Sequence, residues 1–68
     1  MADVHKRLAK NLRLLRAERG LSQETLGFEV DLHRTYISDI ERGNRNPSIG
    51  AIDKIARALG VSCGRLLD

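Results

Sequence analysis

Residues 22–43 read SQETLGFEVDLHRTYISDIERG, and no other part of the chain has so informative a pattern. We interpret it as two short helices, 23–30 and 34–42, joined by a tight turn. Ser22 is a good N-cap for the first of them, because its hydroxyl accepts a hydrogen bond from a free backbone N–H. Gly43 suits the left-handed residue that often follows the last helical turn. The stretch therefore predicts a helix, a turn and a second helix.

The second of these helices has two different faces. At 3.6 residues per turn, Ile37 and Ile40 share one side, which predicts packing against a core. The opposite arc carries short or forked hydrogen-bonding groups, namely Arg34, Thr35, Ser38, Asp39 and Arg42. Such groups can read base edges in the major groove of DNA. An ordinary solvated helix face is equally polar, so the rest of the chain has to separate the two interpretations.

The chain is short, with 68 residues, a net charge of +3, one Phe, one Tyr and no Trp. At this length we expect one domain, 1–68, with a small aliphatic core and no space for a deep substrate pocket. The basic balance favours anionic partners. Residues 1–20 hold six Lys/Arg and two Asp/Glu, residues 21–41 one and five, and residues 42–58 four and one. This alternation suits folded helices that pair across one another.

Several function classes have no support in the residues. The single Cys63 excludes an intramolecular disulfide, and together with His5 and His33 it shows no metal-ligand spacing. No Ser, His and acid arrangement indicates nucleophilic catalysis, and Gly60 and Gly64 form no phosphate-binding loop. There is neither an apolar run of about 18 residues nor a signal peptide. We expect a cytoplasmic protein that is not an enzyme, without cofactor, metal or evident small-molecule ligand.

Hydrophobic spacing predicts helices on both sides of the opening stretch. A helix over 4–19 follows the candidate cap Asp3 and ends before Gly20. Its apolar stripe comprises Val4, Leu8, Leu12 and Leu15. Its basic residues are either solvated or, for a subset, a flank that faces phosphates. Near the other end of the chain, Ser62 can cap a short helix over 63–67.

A further helix, 48–59, follows Pro47, which suits the first position of a helix. Its apolar stripe comprises Ile49, Ile52, Ile55, Ala56 and Leu59. Together with the elements above, it completes an all-α chain of five helices with no strand signal.

With these elements placed, the chain resembles the Cro and phage-repressor type of helix-turn-helix domain (the XRE-like family) over nearly its whole length. The resemblance is carried by SQETL at 22–26, YIS at 36–38, IERG at 40–43, NPS at 46–48 and LGVS at 59–62. It implies a five-helix, lambda-repressor-like fold and a sequence-specific transcriptional regulator of double-stranded DNA. The run RTYIS also resembles the controller proteins of restriction–modification systems. The alternatives are an antitoxin-like regulator that also binds a partner protein, and sequence-independent nucleic-acid binding.

In this family, the N-terminus of the second helix and the loop after the third helix contact the phosphate backbone of DNA. By position, this implies phosphate contacts here from Gln23, Asn44, Arg45 and Asn46. The chemistry agrees, because helix N-termini and donor side chains suit phosphate oxygens, although Asn is also common in turns. We add Arg42 and the hydroxyl of Tyr36 to this set, while Tyr36 can instead pack beside Phe28.

For base readout, Arg34 is the first candidate, because it stands in the first turn of the helix and its fork matches the two acceptors of guanine. Thr35 can contact a thymine methyl group or a phosphate, and Ser38 lies on the same arc. Asp39 has three possible roles: accepting from cytosine, repelling misplaced phosphates, or orienting Arg34 or Arg42.

The resemblance also implies an ion pair between Arg16 and Glu41 that fixes the angle of the reading helix. One monomer makes too few phosphate contacts for tight binding, so we expect a homodimer on a pseudo-palindromic operator with half-sites about 34 Å apart. The candidate dimer surface is the C-terminal segment with Val61, Leu66 and Leu67, which can instead complete the monomer core.

Three residues depart from the family pattern. The family usually has Gly at Asp31 and Ala at Gly27, and we expect both exchanges to be sterically tolerable. Gly within a helix costs about 1 kcal/mol relative to Ala, so the second helix should be less stable. Gly27 also points to close approach of another backbone, with the third helix as candidate. A Ser or Thr often stands at His33, and because protonated His cannot accept a cap bond, we expect a weaker helix start there.

Overall fold

A computed structural model describes residues 3–68, and this part of the chain folds into five α-helices without a strand. They are α1 Val4–Glu18, α2 Gln23–Glu29, α3 Arg34–Glu41, α4 Ile49–Leu59 and α5 Cys63–Leu67. The predicted all-α architecture is confirmed. Four predicted ends differ by one residue because those residues are caps: Arg19, Val30 and Arg42 at C-termini and Ser48 at an N-terminus.

The start of α4 shows how a cap sets a helix boundary. The hydroxyl of Ser48 accepts a hydrogen bond from the Ala51 N–H at 3.1 Å, so α4 begins at Ile49. Pro47 therefore lies before the cap and is buried, instead of occupying the first helical position as predicted. The predicted caps Asp3, Ser22 and Ser62 each accept from a backbone N–H in the first turn of their helix.

The core draws side chains from all five helices. The largest fully buried ones are Leu12, Leu26, Ile37, Ile40, Ile55, Leu59 and Leu66. Two predicted stripe residues lie outside it, since Val4 is 40% and Ile49 is 84% exposed. The inward arc of α4 is set by Ala51, Ile55 and Leu59 at intervals of four. Ile49, two positions before Ala51, is rotated by about 200° from it and faces away.

α1 is the element against which α3 and α5 pack. The amide of Asn11, which is buried, donates to the Leu66 carbonyl at 2.9 Å, and the Arg7 guanidinium donates to the Leu67 carbonyl at 3.0 Å. These bonds satisfy carbonyls that the last turn of α5 leaves without a helical partner. No helix in the described range is long and apolar enough to cross a membrane.

This packing corrects one residue of the predicted dimer surface. The side chain of Leu66 has no solvent exposure and belongs to the monomer core, so it cannot face a second copy. Val61 and Leu67 are partly buried at the edge of the same core. Of the two interpretations of the C-terminal segment, the structure therefore favours completion of the core for Leu66.

Candidate nucleic-acid interface

The angle between α2 and α3 is fixed by an unusually close backbone approach at Gly27. The Leu32 N–H donates to the Gly27 carbonyl at 2.8 Å. A Cβ atom at position 27 would lie 2.5 Å from the Leu32 carbonyl oxygen and 3.3 Å from the Arg34 nitrogen. The approaching backbone is thus the turn and the first residue of α3, as predicted in part. Gly in place of the family's usual Ala is accommodated here, as expected, whereas an Ala side chain would not fit this geometry.

The turn itself depends on one left-handed residue. Asp31 has φ of +59°, and it is the only non-glycine residue between positions 3 and 68 with a positive φ. Asp adopts this conformation more readily than most residues, because its short polar side chain can bond locally. The prediction that Asp31 tolerates the position usually held by Gly is borne out by this backbone angle. The turn then delivers the chain to the cap of α3.

His33 caps α3 through its imidazole ring. Its Nδ1 atom accepts a hydrogen bond from the Thr35 N–H at 3.0 Å. A neutral imidazole with its proton on Nε2 provides this acceptor. His33 thus supplies a cap bond at the position where the family often has Ser or Thr, while the weaker helix start expected with a protonated ring stays a prediction.

The outward arc of α3 and the start of α2 form one shallow cleft of about 280 Å³. Its walls are formed by Gln23, Arg34, Thr35, Ser38 and Arg42. The Arg34 side chain is 66% exposed and only loosely held, with 4.0 Å to the Glu24 carboxylate. Residues proposed to touch bases and residues proposed to touch phosphates thus meet on one surface. Forked and hydroxylic donors in such a cleft can bond base edges or phosphate oxygens.

Asp39 is already engaged by a neighbour on this surface. Its carboxylate lies 2.6 Å from the Arg42 guanidinium, an ion pair across one helical turn. Of the three roles considered for Asp39, the structure favours orienting Arg42. The pair holds the guanidinium at the end of the arc, where the loop after α3 begins.

The loop after α3 is exposed from Asn44 to Asn46. The Arg45 guanidinium carbon lies 4.2 Å from the centre of the Tyr36 ring, a cation–π arrangement. Tyr36 is half-buried against the core, whereas Phe28 is 88% exposed, so the alternative of Tyr36 packing beside Phe28 is not found. Asn46 bonds the His5 side chain, which together with Asp3 raises the pKa of that imidazole.

Arg16 and Glu41 tie this surface to α1. The Arg16 guanidinium donates two hydrogen bonds to the Glu41 carboxylate, from Nε to Oε2 at 2.7 Å and from Nη2 to Oε1 at 3.0 Å. The Glu41 side chain is only 4% exposed. The carboxylate raises the pKa of Arg16. The Gln23 amide donates to the same carboxylate at 3.1 Å. α1, α2 and α3 therefore share one buried polar junction, and the Gln23 side chain belongs to it as well as to the cleft.

Two contacts at this junction were not found by sequence reasoning. The Arg13 guanidinium donates to the Glu41 backbone carbonyl, at the C-terminal end of α3. The third nitrogen of the Arg16 guanidinium, Nη1, donates to the Leu21 carbonyl at 2.8 Å. A bond from a side chain to a distant carbonyl leaves no pattern in the sequence. The only hint was the excess of Arg and Lys on the first helix, which also fits solvation.

A family model described as helix-turn-helix matches residues 12–66. The chain belongs to this helix-turn-helix family. The control protein C.BamHI of Bacillus amyloliquefaciens is 51% identical over 70 residues, covering 90% of this chain and 86% of that protein. The control protein C.MunI of a Mycoplasma species is 42% identical, covering 97% of this chain and 90% of that protein.

Two solved structures are closely similar to this fold. The restriction–modification controller protein C.AhdI of Aeromonas hydrophila has a TM-score of 0.87 and 44% identity, over 91% of this chain and 94% of that one. A hypothetical transcription factor from Neisseria has a TM-score of 0.93 and 44% identity, over 97% of this chain and 76% of its own. The XRE-type resemblance drawn from the sequence is therefore confirmed, and controller proteins are among the relatives.

Proposed function

We propose that this protein is a DNA-binding transcriptional regulator that places α3 in the major groove of double-stranded DNA. The observation that carries the proposal is the single exposed surface shared by the arc of α3, the start of α2 and the loop after α3. That surface is fixed to α1 by a buried ion pair, so its side chains are presented at a constant angle. The major groove is wide enough to admit an α-helix, and the exposed polar side chains of α3 can bond base edges there.

Arg34, Thr35, Ser38 and Asp39 are the proposed base-contacting residues. Arg34 is the main reader, since its exposed guanidinium has only a loose contact with Glu24 and is free to form two bonds with guanine. Asp39 acts mainly by holding Arg42, because the two side chains are already paired. Base discrimination should therefore be lost most severely at Arg34.

The proposed phosphate contacts are Gln23, Tyr36, Arg42, Asn44, Arg45 and Asn46. Arg45 is the best placed of them, because the face of the Tyr36 ring holds its guanidinium in the exposed loop. The Gln23 side-chain amide is occupied by Glu41, so this residue contributes through its backbone N–H at the start of α2. These contacts position the protein without reading sequence.

The active form is proposed to be a homodimer on a pseudo-palindromic operator. Two copies double the number of phosphate contacts, and half-sites one helical turn apart match a two-fold axis. The partly buried Val61 and Leu67 are the remaining members of the proposed interface. Sedimentation equilibrium at micromolar concentration should give the mass of a dimer, and a monomer that binds one half-site tightly would contradict this part.

The relatives named as restriction–modification controller proteins favour a role of the same kind for this protein. Its regulated genes would then lie beside a restriction enzyme and a methyltransferase. A genomic neighbourhood without either gene would argue for a regulator of another system.

The central test is binding of duplexes selected from a random-sequence pool, compared with scrambled duplexes of equal length. Arg34→Ala should lose about 1–3 kcal/mol of binding free energy on the selected duplex and relax its preference at one base pair. Arg45→Ala should weaken both duplexes alike and reduce the salt slope by about one unit. Fluorescence anisotropy across about 50–200 mM salt measures both effects.

The matched control is Arg57→Ala, which removes the same charge from the outer face of α4. The Arg57 side chain is 81% exposed and forms an ion pair with Asp53, so its loss should leave the preference for the selected duplex unchanged. Equal affinity of the unmodified protein for both duplexes would refute sequence-specific binding. Unchanged selectivity in Arg34→Ala would refute the assignment of α3 as the reading helix.

A further inference from the structure

The cap of α3 differs in chemistry from the other four helix caps among residues 3–68. α1 is capped by the carboxylate of Asp3, and α2, α4 and α5 by the hydroxyls of Ser22, Ser48 and Ser62. Those oxygens remain acceptors near neutral pH. His33 accepts through Nδ1, and this nitrogen stops accepting when the ring is protonated. Among these five N-caps, only that of α3 is lost when the capping side chain gains one proton.

Loss of this cap would act on the residues that read DNA. The bonded N–H belongs to Thr35, and Arg34 stands between Thr35 and the cap. The backbone carbonyl of His33 also accepts from the Tyr36 and Ile37 N–H groups at 2.9 and 3.3 Å, so α3 as a whole does not depend on the ring. Protonation would remove the bond to the Thr35 N–H and loosen Arg34 and Thr35 at the start of the first turn, while the bonds to the His33 carbonyl hold the rest of the helix.

The charges around the ring act in both directions. Asp31 in the turn carries a negative charge and lines a shallow groove with His33, whereas Arg34, the next residue along the chain, carries a positive charge. Asp31 also lines a second groove, which it shares with Lys54 and Arg57 of α4. The positive end of the α3 dipole disfavours an imidazolium at the cap position. In the capped geometry the neutral ring is the form that bonds Thr35.

We propose that His33 is a positioning residue for DNA recognition, with a neutral ring that sets the first turn of α3 and a protonated ring that releases it. This inference rests on the proposed function, since the release matters only if Arg34 and Thr35 read bases. Acidification should then lower the discrimination between DNA sequences. The general gain of positive charge raises affinity for any duplex alike, so the ratio of affinities isolates the effect.

The first arm of the test uses the protein without DNA. Amide hydrogen exchange and the NMR signal of the Thr35 N–H are followed from about pH 8 to pH 5.5, across the ordinary histidine range. The unmodified protein should lose protection at Thr35 as the His33 ring titrates, beyond the change expected from intrinsic exchange. His33→Ser keeps a good cap that does not titrate, so its Thr35 protection should stay constant.

The second arm measures the ratio of two affinities, one for a duplex selected from a random-sequence pool and one for a scrambled duplex. It is measured at the two ends of the same range, about pH 8 and about pH 5.5. The ratio should fall about fivefold on acidification for the unmodified protein and remain constant for His33→Ser. His33→Ala, which has no cap at either pH, should show the low ratio throughout, with circular dichroism confirming that it folds. His5 is present in all three proteins, so its titration cancels.

Two results would overturn the proposal. One is an identical pH profile of the affinity ratio in the unmodified protein and in His33→Ser. The other is Thr35 protection that survives protonation of the His33 ring. A protein that loses Thr35 protection but never distinguishes the duplexes would refute the proposed function and with it the positioning role, while the cap itself would stand.

Discussion

The C-terminal end of α3 is held by charged side chains from α1, whereas its N-terminal end is held by backbone contact and one exposed imidazole. At the C-terminal end, Arg16 and Arg13 bind the side chain and the carbonyl of Glu41. At the other end, Gly27 admits the turn and His33 caps the helix. The first arrangement is largely buried and makes several hydrogen bonds, so a single small change disturbs it little. The second can be altered by a single methyl group or a single proton.

Glu41→Ala should cause the largest loss of stability among these variants, because it removes the carboxylate acceptor from the buried C-terminal end of α3. Arg16, whose side chain is 20% exposed, would keep its charge without a carboxylate partner, and Gln23 would lose its acceptor as well. We expect a loss of about 3 kcal/mol in the free energy of unfolding, measured by urea denaturation. The reading helix should also lose its fixed angle and its preference for the selected duplex.

Asp53→Ala is the matched control for that change. It breaks an ion pair of 3.0 Å in which the Arg57 side chain is 81% and the Asp53 side chain 47% exposed, and it removes the acceptor of a weak 3.8 Å contact from the Cys63 thiol. Such pairs contribute about 0–1 kcal/mol, so this variant should unfold close to the unmodified protein. Equal losses in the two variants would mean that burial at Glu41 does not strengthen the junction.

Gly27→Ala tests the N-terminal end of α3. It should destabilise the protein, although Ala has a higher helix propensity than Gly. Ala favours a helix over Gly by about 1 kcal/mol, but the added methyl group would meet the Leu32 carbonyl at 2.5 Å. Overpacking of this kind costs about 1–3 kcal/mol, so we expect net destabilisation in urea or thermal unfolding.

Gly50→Ala in α4 is the matched control for Gly27→Ala. The nearest atom to a Cβ at position 50 is the Ser48 hydroxyl at 3.9 Å, which is ordinary contact. This variant should gain up to about 1 kcal/mol in the free energy of unfolding. If Gly27→Ala were stabilised by a similar amount, the turn would be able to retreat, and the close approach would not fix the angle between α2 and α3.

The two ends of α3 also differ in how far the sequence predicts them. Local signals succeed where one residue type has one local use, as with the caps Ser22 and Ser62 and the inward Ile37 and Ile40. The pairing of Arg16 with Glu41 came from the family resemblance, since the partners are 25 residues apart. The bond from Arg13 to a carbonyl has no sequence signal at all. The cap bond of His33 depends on the protonation state of its ring, which the sequence does not specify.

The smallest predicted effect concerns the contact between the start of α1 and the loop after α3. Hydrogen bonds to Asn46 and then to Asp3 raise the pKa of His5 above its ordinary value of 6.5. The His5 backbone N–H, followed by its side chain, lowers the pKa of Asp3 below 3.8. A raised histidine pKa gives stability that is complete below 6.5 and is lost as the pH rises through the folded-state value. A lowered aspartate pKa gives stability that is complete above 3.8 and is lost in acid.

Both contributions are therefore complete only between pH 3.8 and 6.5. His5→Gln, which keeps polarity without a titrating ring, should lower the thermal midpoint slightly at pH 6 and leave it nearly unchanged at about pH 8. Thermal unfolding of both proteins at the two pH values measures the difference, and His33 cancels because both contain it. A difference that grew toward alkaline pH would show that the neutral ring makes the contact. The loop after α3 would then be independent of the charge on α1.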